Sequence, residues 1–80
     1  MKNINICNLI LQKLKEEERS IAWLARQVGC NSDNLRKTLN NNQDLYTDLL
    51  YRISIALKED FFACYSEKLK RKILHTNNAD

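Results

Sequence analysis

Apolar residues recur at every third or fourth position through most of this chain, which is the spacing that places them on one face of an α-helix. The pattern is clearest between residues 20 and 40, where two apolar stripes are separated by Gly29-Cys30-Asn31. We expect the first helix of this pair to end at Gly29, because glycine adopts the left-handed backbone of a helix end at little cost. Its apolar stripe consists of Ile21, Leu24, Ala25 and Val28.

A second helix is expected after this turn, because Asn31 and Ser32 both offer a side-chain oxygen to the free amide groups of a helix start. Leu35 and Leu39 lie one turn apart and predict its buried face. A short helix with a polar outer face is suited to reading base edges in DNA. The outer face here consists of Ser32, Asp33, Asn34, Arg36, Lys37 and Asn40.

Another helix is predicted ahead of this pair, over residues 4–17. Its end is expected at the acidic run 16–18, because negative charges oppose the dipole at a helix C-terminus. Ser20 is then expected to cap the next helix. Trp23 lies off the apolar stripe of that helix, which predicts either packing along the rim of another helix or contact with a partner. The apolar face of the first helix consists of Ile6, Leu9, Ile10 and Leu14.

Two further helices are predicted after the polar loop 40–44. The fourth has Thr47 as its expected N-cap, and the fifth begins at about Phe61 with Asp60 as its cap. The chain is therefore predicted to be all-α, with five helices in a single domain over residues 1–74 and a polar, frayed tail over residues 75–80. The apolar face of the fourth helix consists of Leu49, Leu50, Ile53 and Leu57.

The composition is typical of a small, soluble helical domain: 80 residues, no proline, one glycine and 44% hydrophobic residues. No apolar run is long enough to span a membrane, and Met1-Lys2-Asn3 is not followed by the apolar core of a signal peptide. We therefore expect a cytoplasmic protein with no membrane partner. The net charge of +3 permits nucleic-acid binding without requiring it.

Cysteine and histidine spacing gives no indication of a metal site, a cofactor or catalysis. Cys7, Cys30 and Cys64 are far apart, and each has apolar neighbours, so we expect three reduced, buried thiols. No CxxC pair exists, and the lone His75 lies in the polar tail. Because no nucleophile is matched to a histidine base, the sequence predicts a protein that is not an enzyme.

The segment LARQVGCNSDNLRKTLN, followed by TDLLYRISIALKEDFF, resembles the lambda-repressor-like (Xre-type) helix-turn-helix domains. The stretches WLARQVGC, LLYRISIAL and DFFACYS are similar to short transcriptional regulators common in Bacteroidetes-type bacteria. The resemblance covers residues 4–69 and implies a compact bundle of five helices. In that family the helix-turn-helix, here at about residues 20–40, binds double-stranded DNA with its second helix in the major groove.

The resemblance also assigns contacts to individual residues. Lysine can bond to guanine O6 and N7 and aspartate to cytosine N4, whereas amides and hydroxyls bind phosphate and fix the register. By position, Ser32, Asp33 and Lys37 match base-reading residues, Asn34 and Arg36 match flanking or backbone contacts, and Asn40 and Asn41 match phosphate contacts.

Three positions depart from the family pattern. Ile21 replaces a glutamine that often contacts DNA, and Arg19 or the Ser20 hydroxyl is the expected substitute. Thr38 replaces an apolar residue, and its hydroxyl is expected to bond the carbonyl one turn back. The negative charge of Asp33 is expected to be offset by Arg36, three residues later, and the pair is worth only tenths of a kcal/mol, roughly 0.2–0.5.

The leading hypothesis is a transcriptional regulator that acts as a dimer, because one short recognition helix reads only a few base pairs. The candidate dimer surface is the start of the last helix. Adjacent phenylalanines diverge by about 100° on a helix, so either one closes the core while the other meets a partner, or both pack against the first helix. The residues of this surface are Phe61, Phe62, Tyr65 and Leu69.

The alternative hypothesis is a protein-interaction module, antitoxin-like or an adaptor, whose helix-turn-helix does not read DNA. Asp33, Ile21 and the acidic run 16–18 favour it, and Trp23 would be its anchor. The basic run 68–72 is either a phosphate-binding tail or a solvated helix end.

Overall fold

The chain forms five α-helices in a computed structural model that describes residues 5–79, with side chains for residues 5–74. Within residues 5–79 there is no β-strand, so the all-α prediction is confirmed for that part of the chain. Ile4, the predicted start of the first helix, lies outside it. The helices are α1 (Ile6–Glu16), α2 (Ile21–Val28), α3 (Ser32–Asn40), α4 (Thr47–Leu57) and α5 (Phe62–Ala79).

The first three helices each begin at a side-chain cap. The side-chain oxygen of Asn5 accepts a hydrogen bond from the Asn8 amide at 3.1 Å. Ser20 caps α2 and Asn31 caps α3 in the same way, each with a donor–acceptor distance of 3.0 Å. Each cap satisfies an amide that the first helical turn leaves free, and it fixes where the helix starts. The predicted cap at Ser20 is confirmed, and of the two candidates at the start of α3, Asn31 is the cap and Ser32 is the first helical residue.

The start of α4 corrects one prediction. Thr47 is the first helical residue rather than the cap, because Tyr46 has extended backbone and its carbonyl accepts the first intrahelical bond, from Leu50 at 2.9 Å. Tyr46 makes no side-chain cap bond. The start of α5 agrees with expectation, since the Asp60 carboxylate accepts from the Phe62 amide at 3.0 Å.

The turn between α2 and α3 is a left-handed helix end. Gly29 has φ 76° and ψ 39°, and the amides of Gly29 and Cys30 both donate to the Ala25 carbonyl at 2.9 Å. Both bonds satisfy a carbonyl that the end of α2 would otherwise leave free. The turn is therefore fixed by backbone bonds and by the one residue type that adopts this backbone without strain.

A Cβ at Gly29 would meet no atom within 4 Å, so a substitution causes no clash. It is expected to destabilise the fold only because other residues adopt the left-handed backbone of this position at a cost. Gly29→Ala should lower the free energy of unfolding by about 1–2 kcal/mol, measured by urea denaturation. Gly29→Asn is the matched control and should cost less, since asparagine tolerates the left-handed region better. Equal losses for the two variants would contradict this explanation.

The core is built from the predicted apolar stripes. α2 packs against both α3 and α4, and α1 packs against α3. No polar or charged side chain among residues 5–74 is buried. Three residues of the predicted stripes are exceptions, because Leu9 is exposed and Ile21 and Leu49 are half-buried. The core residues are Ile6, Cys7, Ile10, Leu14, Leu24, Ala25, Val28, Leu35, Leu39, Leu50, Ile53, Leu57 and Phe61.

Only the beginning of α5 contributes to this core. Phe61 is buried and Phe62 packs partly against the core, whereas Leu69 and Ile73 are exposed. The molecule measures 48 Å along its longest axis against 23 and 22 Å, which fits a last helix that extends beyond the bundle. Residues 75–79, predicted to be part of a frayed tail, continue α5, and their side chains lie outside the described part.

The three cysteines have three different environments. Cys7 is buried, with its Sγ 3.3 Å from the Gln43 carbonyl oxygen, and Cys64 is half-buried. Cys30 is exposed, so the prediction of three buried thiols was wrong at this position. The physical reason is that Cys30 follows Gly29 in the turn, where the chain leaves the helical spacing that directs apolar residues inward.

Thiol labelling should separate these environments. Burial raises the pKa of both the Cys7 and the Cys30 thiol, with a smaller contribution from the charge of Asp44 at Cys7, so the pKa shifts do not separate them. Access to the reagent does, because Cys7 is buried and Cys30 is exposed. We therefore expect Cys30 to react first with a thiol reagent and Cys7 to react only on unfolding, as followed by mass spectrometry of labelled peptides. Equal native rates for Cys7 and Cys30 would contradict the structure, and labelling in urea provides the control.

Candidate nucleic-acid interface

The outer face of α3 is available to solvent because two leucines hold its inner face. Leu35 and Leu39 are buried one turn apart in the core, so the polar positions between and around them point away from it. Ser32 is half-buried, and the other residues of this face are exposed. The structure brings together the predicted set Ser32, Asp33, Asn34, Arg36, Lys37, Asn40 and Asn41 on α3 and its C-terminal cap.

Charges on this face are few and partly paired. Arg36 Nη1 lies 3.2 Å from Asp33 Oδ1, which is the expected pair at a spacing of three residues. Both side chains are largely exposed, so the pair contributes about 0.5 kcal/mol or less. The pair also changes the charge of the face, because the negative charge of Asp33 offsets the positive charge of Arg36. Lys37 is the other exposed cation on α3.

Thr38 lies toward the inner side of α3, and its hydroxyl group is hydrogen-bonded, so its burial leaves no polar group without a partner. Its hydroxyl donates to the Asn34 carbonyl one turn back at 3.0 Å, and the residue is half-buried. The predicted bond is therefore confirmed. The loop after α3 is held to the same turn, because the Gln43 amide donates to the Thr38 carbonyl at 2.9 Å.

Ser20, which was predicted as a contact residue, is the N-cap of α2 and is exposed. The Ser20 oxygen already accepts from the Trp23 amide, but a hydroxyl can accept and donate at once, so its proton remains available to an anion. Beside it, the Arg19 guanidinium carbon lies 4.6 Å from the centre of the Trp23 ring. Trp23 is half-buried against the core, in agreement with the rim-packing prediction.

Two residues next to this surface were missed by the sequence analysis. Arg52 on α4 donates from Nη1 to the Val28 carbonyl at 3.3 Å and pairs through Nε with Asp48 at 3.1 Å. It thereby satisfies a carbonyl at the end of α2 and ties that end to α4. The spacing of four between Asp48 and Arg52 was the signal available in the sequence.

Tyr46 is the other missed residue. Its side chain is 84% exposed, the highest value among the exposed large hydrophobic residues of the described part. It immediately precedes α4, in the loop that follows α3. The available signal was an aromatic residue in the loop between α3 and α4, beside Leu45, which packs partly against the core.

Other kinds of site find no support among the described residues. Within that part of the chain, no group of three or more histidine, cysteine, aspartate or glutamate side chains is placed to hold a metal ion. No described helix combines the length and the apolar character needed to cross a membrane.

Comparisons with protein-family models, with curated proteins and with solved structures give no match for this chain. The family assignment therefore rests on the sequence motifs and belongs to the functional proposal.

Proposed function

We propose that this protein is a sequence-specific, double-stranded DNA-binding transcriptional regulator of the lambda-repressor-like (Xre-type) class. The observation that carries the proposal is the arrangement of α3, which Leu35 and Leu39 hold against the bundle while its first turn projects polar side chains. The major groove of B-DNA admits one α-helix, and the N-terminal turns of such a helix approach the base edges.

In this proposal Ser32, Asp33 and Lys37 read bases. Lys37 donates to guanine O6 or N7, and Asp33 accepts from cytosine N4 once the approach to DNA separates it from Arg36. Arg36 is then free to contact a neighbouring phosphate, together with Asn34 at the flank. The exposed side chains and the weakness of the Asp33–Arg36 pair support this exchange, because little free energy is lost when the pair opens.

Phosphate contacts on both sides of α3 would fix its register in the groove. The Ser20 hydroxyl proton is available at the start of α2, and Asn40 and Asn41 are exposed at the end of α3. The exposed Tyr46 hydroxyl is a further donor in the following loop. Hydrogen-bonding groups of this kind position a helix without reading sequence.

A dimer is part of the proposal, since a nine-residue helix contacts only a few base pairs. The structure changes the candidate dimer surface. Phe61 is buried and closes the core, and Phe62 is half-buried, so Phe61 cannot meet a partner. Tyr65 and Leu69 are exposed on α5 and remain available.

A protein-interaction module is the second candidate function. The Asp33–Arg36 pair favours it, because it leaves α3 with little positive charge. Trp23, the expected anchor for a partner, supports this function less than expected, because its side chain is half-buried and stacks with Arg19. Binding to duplex DNA distinguishes the two functions.

Selection of bound duplexes from a random pool is the direct test. We expect enrichment of a short motif repeated with two-fold symmetry, and a binding constant that falls with salt with a log–log slope of about −0.9 per neutralised phosphate. No binding to any duplex at low salt would reject the regulator and favour the interaction module. A motif without two-fold symmetry would remove only the dimer.

Lys37 can be tested within the selected site. Lys37→Ala should reduce discrimination at one base pair by about 1–3 kcal/mol while binding at the other positions is retained. Lys15→Ala is the matched control, because Lys15 is exposed on α1 and lies outside the proposed interface. Repeating the selection with both variants measures the effect, and an unchanged preference for Lys37→Ala would reject its base-reading role.

A further inference from the structure

A cavity of about 350 Å³ opens where the first turns of α1, α4 and α5 meet the loop that follows α3. Its volume lies within the range of pockets that bind small organic molecules, about 300–1,000 Å³. None of the residues that we assign to DNA contacts lines it. The lining residues are Ile6, Asp44, Leu45, Thr47, Leu50, Phe62 and Tyr65.

The apolar part of the lining belongs to the core of the bundle. Ile6 and Leu50 are buried, with 7% and 5% of their surface exposed. Leu45 and Phe62 are half-buried and pack against the same core cluster. Because core packing holds these four side chains, the apolar surface of the cavity is formed before any ligand binds, and it can accept the apolar part of a ligand.

Three of the lining residues are polar, and one of them is charged. Asp44 carries a carboxylate, and Thr47 and Tyr65 carry hydroxyl groups. Among the side chains of residues 5–74, no cationic group forms an ion pair with Asp44, whereas Asp33 and Asp48 are both paired. The cavity therefore combines an apolar surface with a single negative charge that is available to a ligand.

The loop that carries Asp44 is tied to two helices. The Gln43 amide donates to the Thr38 carbonyl on α3 at 2.9 Å, and the Gln43 carbonyl accepts from Cys7 Sγ on α1 at 3.3 Å. These bonds fix the residue before Asp44. Burial raises the pKa of Cys7 and of Tyr65, and the negative charge of Asp44 raises both further. Both effects are expected of a carboxylate that lies close to α1 and to α5.

We propose that this cavity binds a small organic cation, with the apolar body of the ligand on the apolar lining and a protonated amine at Asp44. An ammonium group donates up to three hydrogen bonds, and the Thr47 and Tyr65 oxygens can accept beside the carboxylate. A neutral ligand of the same shape gains only the apolar contact, and an anion is repelled by Asp44. The site goes beyond the DNA-binding function and does not rest on it.

The test titrates the full chain with phenethylamine and follows the assigned backbone amide resonances by NMR at low ionic strength, without DNA. Phenethyl alcohol and hydrocinnamate are the neutral and anionic counterparts. We expect the amine to shift the amides of residues 44–47 with a dissociation constant of about millimolar order, as ligands of this size reach. The alcohol should bind about three- to fivefold more weakly, because it lacks the ion pair, and hydrocinnamate more weakly still.

The variant Asp44→Asn removes the charge and keeps the shape of the side chain. It should weaken phenethylamine binding about three- to fivefold and leave the binding of phenethyl alcohol unchanged. Asp48→Asn is the matched control, because Asp48 is an exposed carboxylate four residues later that pairs with Arg52 and does not line the cavity. It should leave the binding of both ligands unchanged. Circular dichroism should show the helicity of the wild type for both variants, because both positions are exposed.

Three results would overturn the proposal. The first is equal binding of the amine and the alcohol to the wild type, and the second is an Asp44→Asn variant that binds the amine as tightly as the wild type does. The third is the absence of shifts at residues 44–47 when phenethylamine is well above its expected dissociation constant. Because the titrations contain no DNA, each of these results leaves the proposed regulator unaffected.

Discussion

The burial of Leu35 and Leu39 is the contact on which the proposed interface depends. α3 has nine residues, too few for a stable helix on its own in water, so it exists because its inner face is packed. Burying a leucine side chain contributes about 1.5–3 kcal/mol, and this term offsets the entropy lost when the helix forms. Since the leucines lie one turn apart, they also fix the rotation of the helix and hence which polar side chains face outward.

The turn and the caps fix the ends of the two short helices α2 and α3. Ser20 and Asn31 set where α2 and α3 begin, and Gly29 sets where α2 ends. Arg52 then donates to the Val28 carbonyl, which ties the end of α2 to α4. The packing, the caps and this bond together position the exposed side chains of α3.

α5 divides into two parts with different physical roles. Phe61, just before it, and the first turn complete the core, while the outer half extends from the bundle with apolar residues on one face and lysines beside them. The outer half therefore gains little from packing against the bundle.

The sequence by itself determined most of the fold. Helical spacing predicted the five helices and the buried Leu35 and Leu39, because burial follows that spacing. Residue type predicted the cap at Ser20 and the end at Gly29, and it left Asn31 and Ser32 as alternative caps of α3. The start of α4, the exposure of Cys30 and the choice between Phe61 and Phe62 depended on tertiary structure. Each is decided by how loops and helix ends meet the rest of the bundle, and spacing along one helix carries no information about that. The Arg52 bond to Val28 joins residues 24 apart, so only the folded chain brings them together.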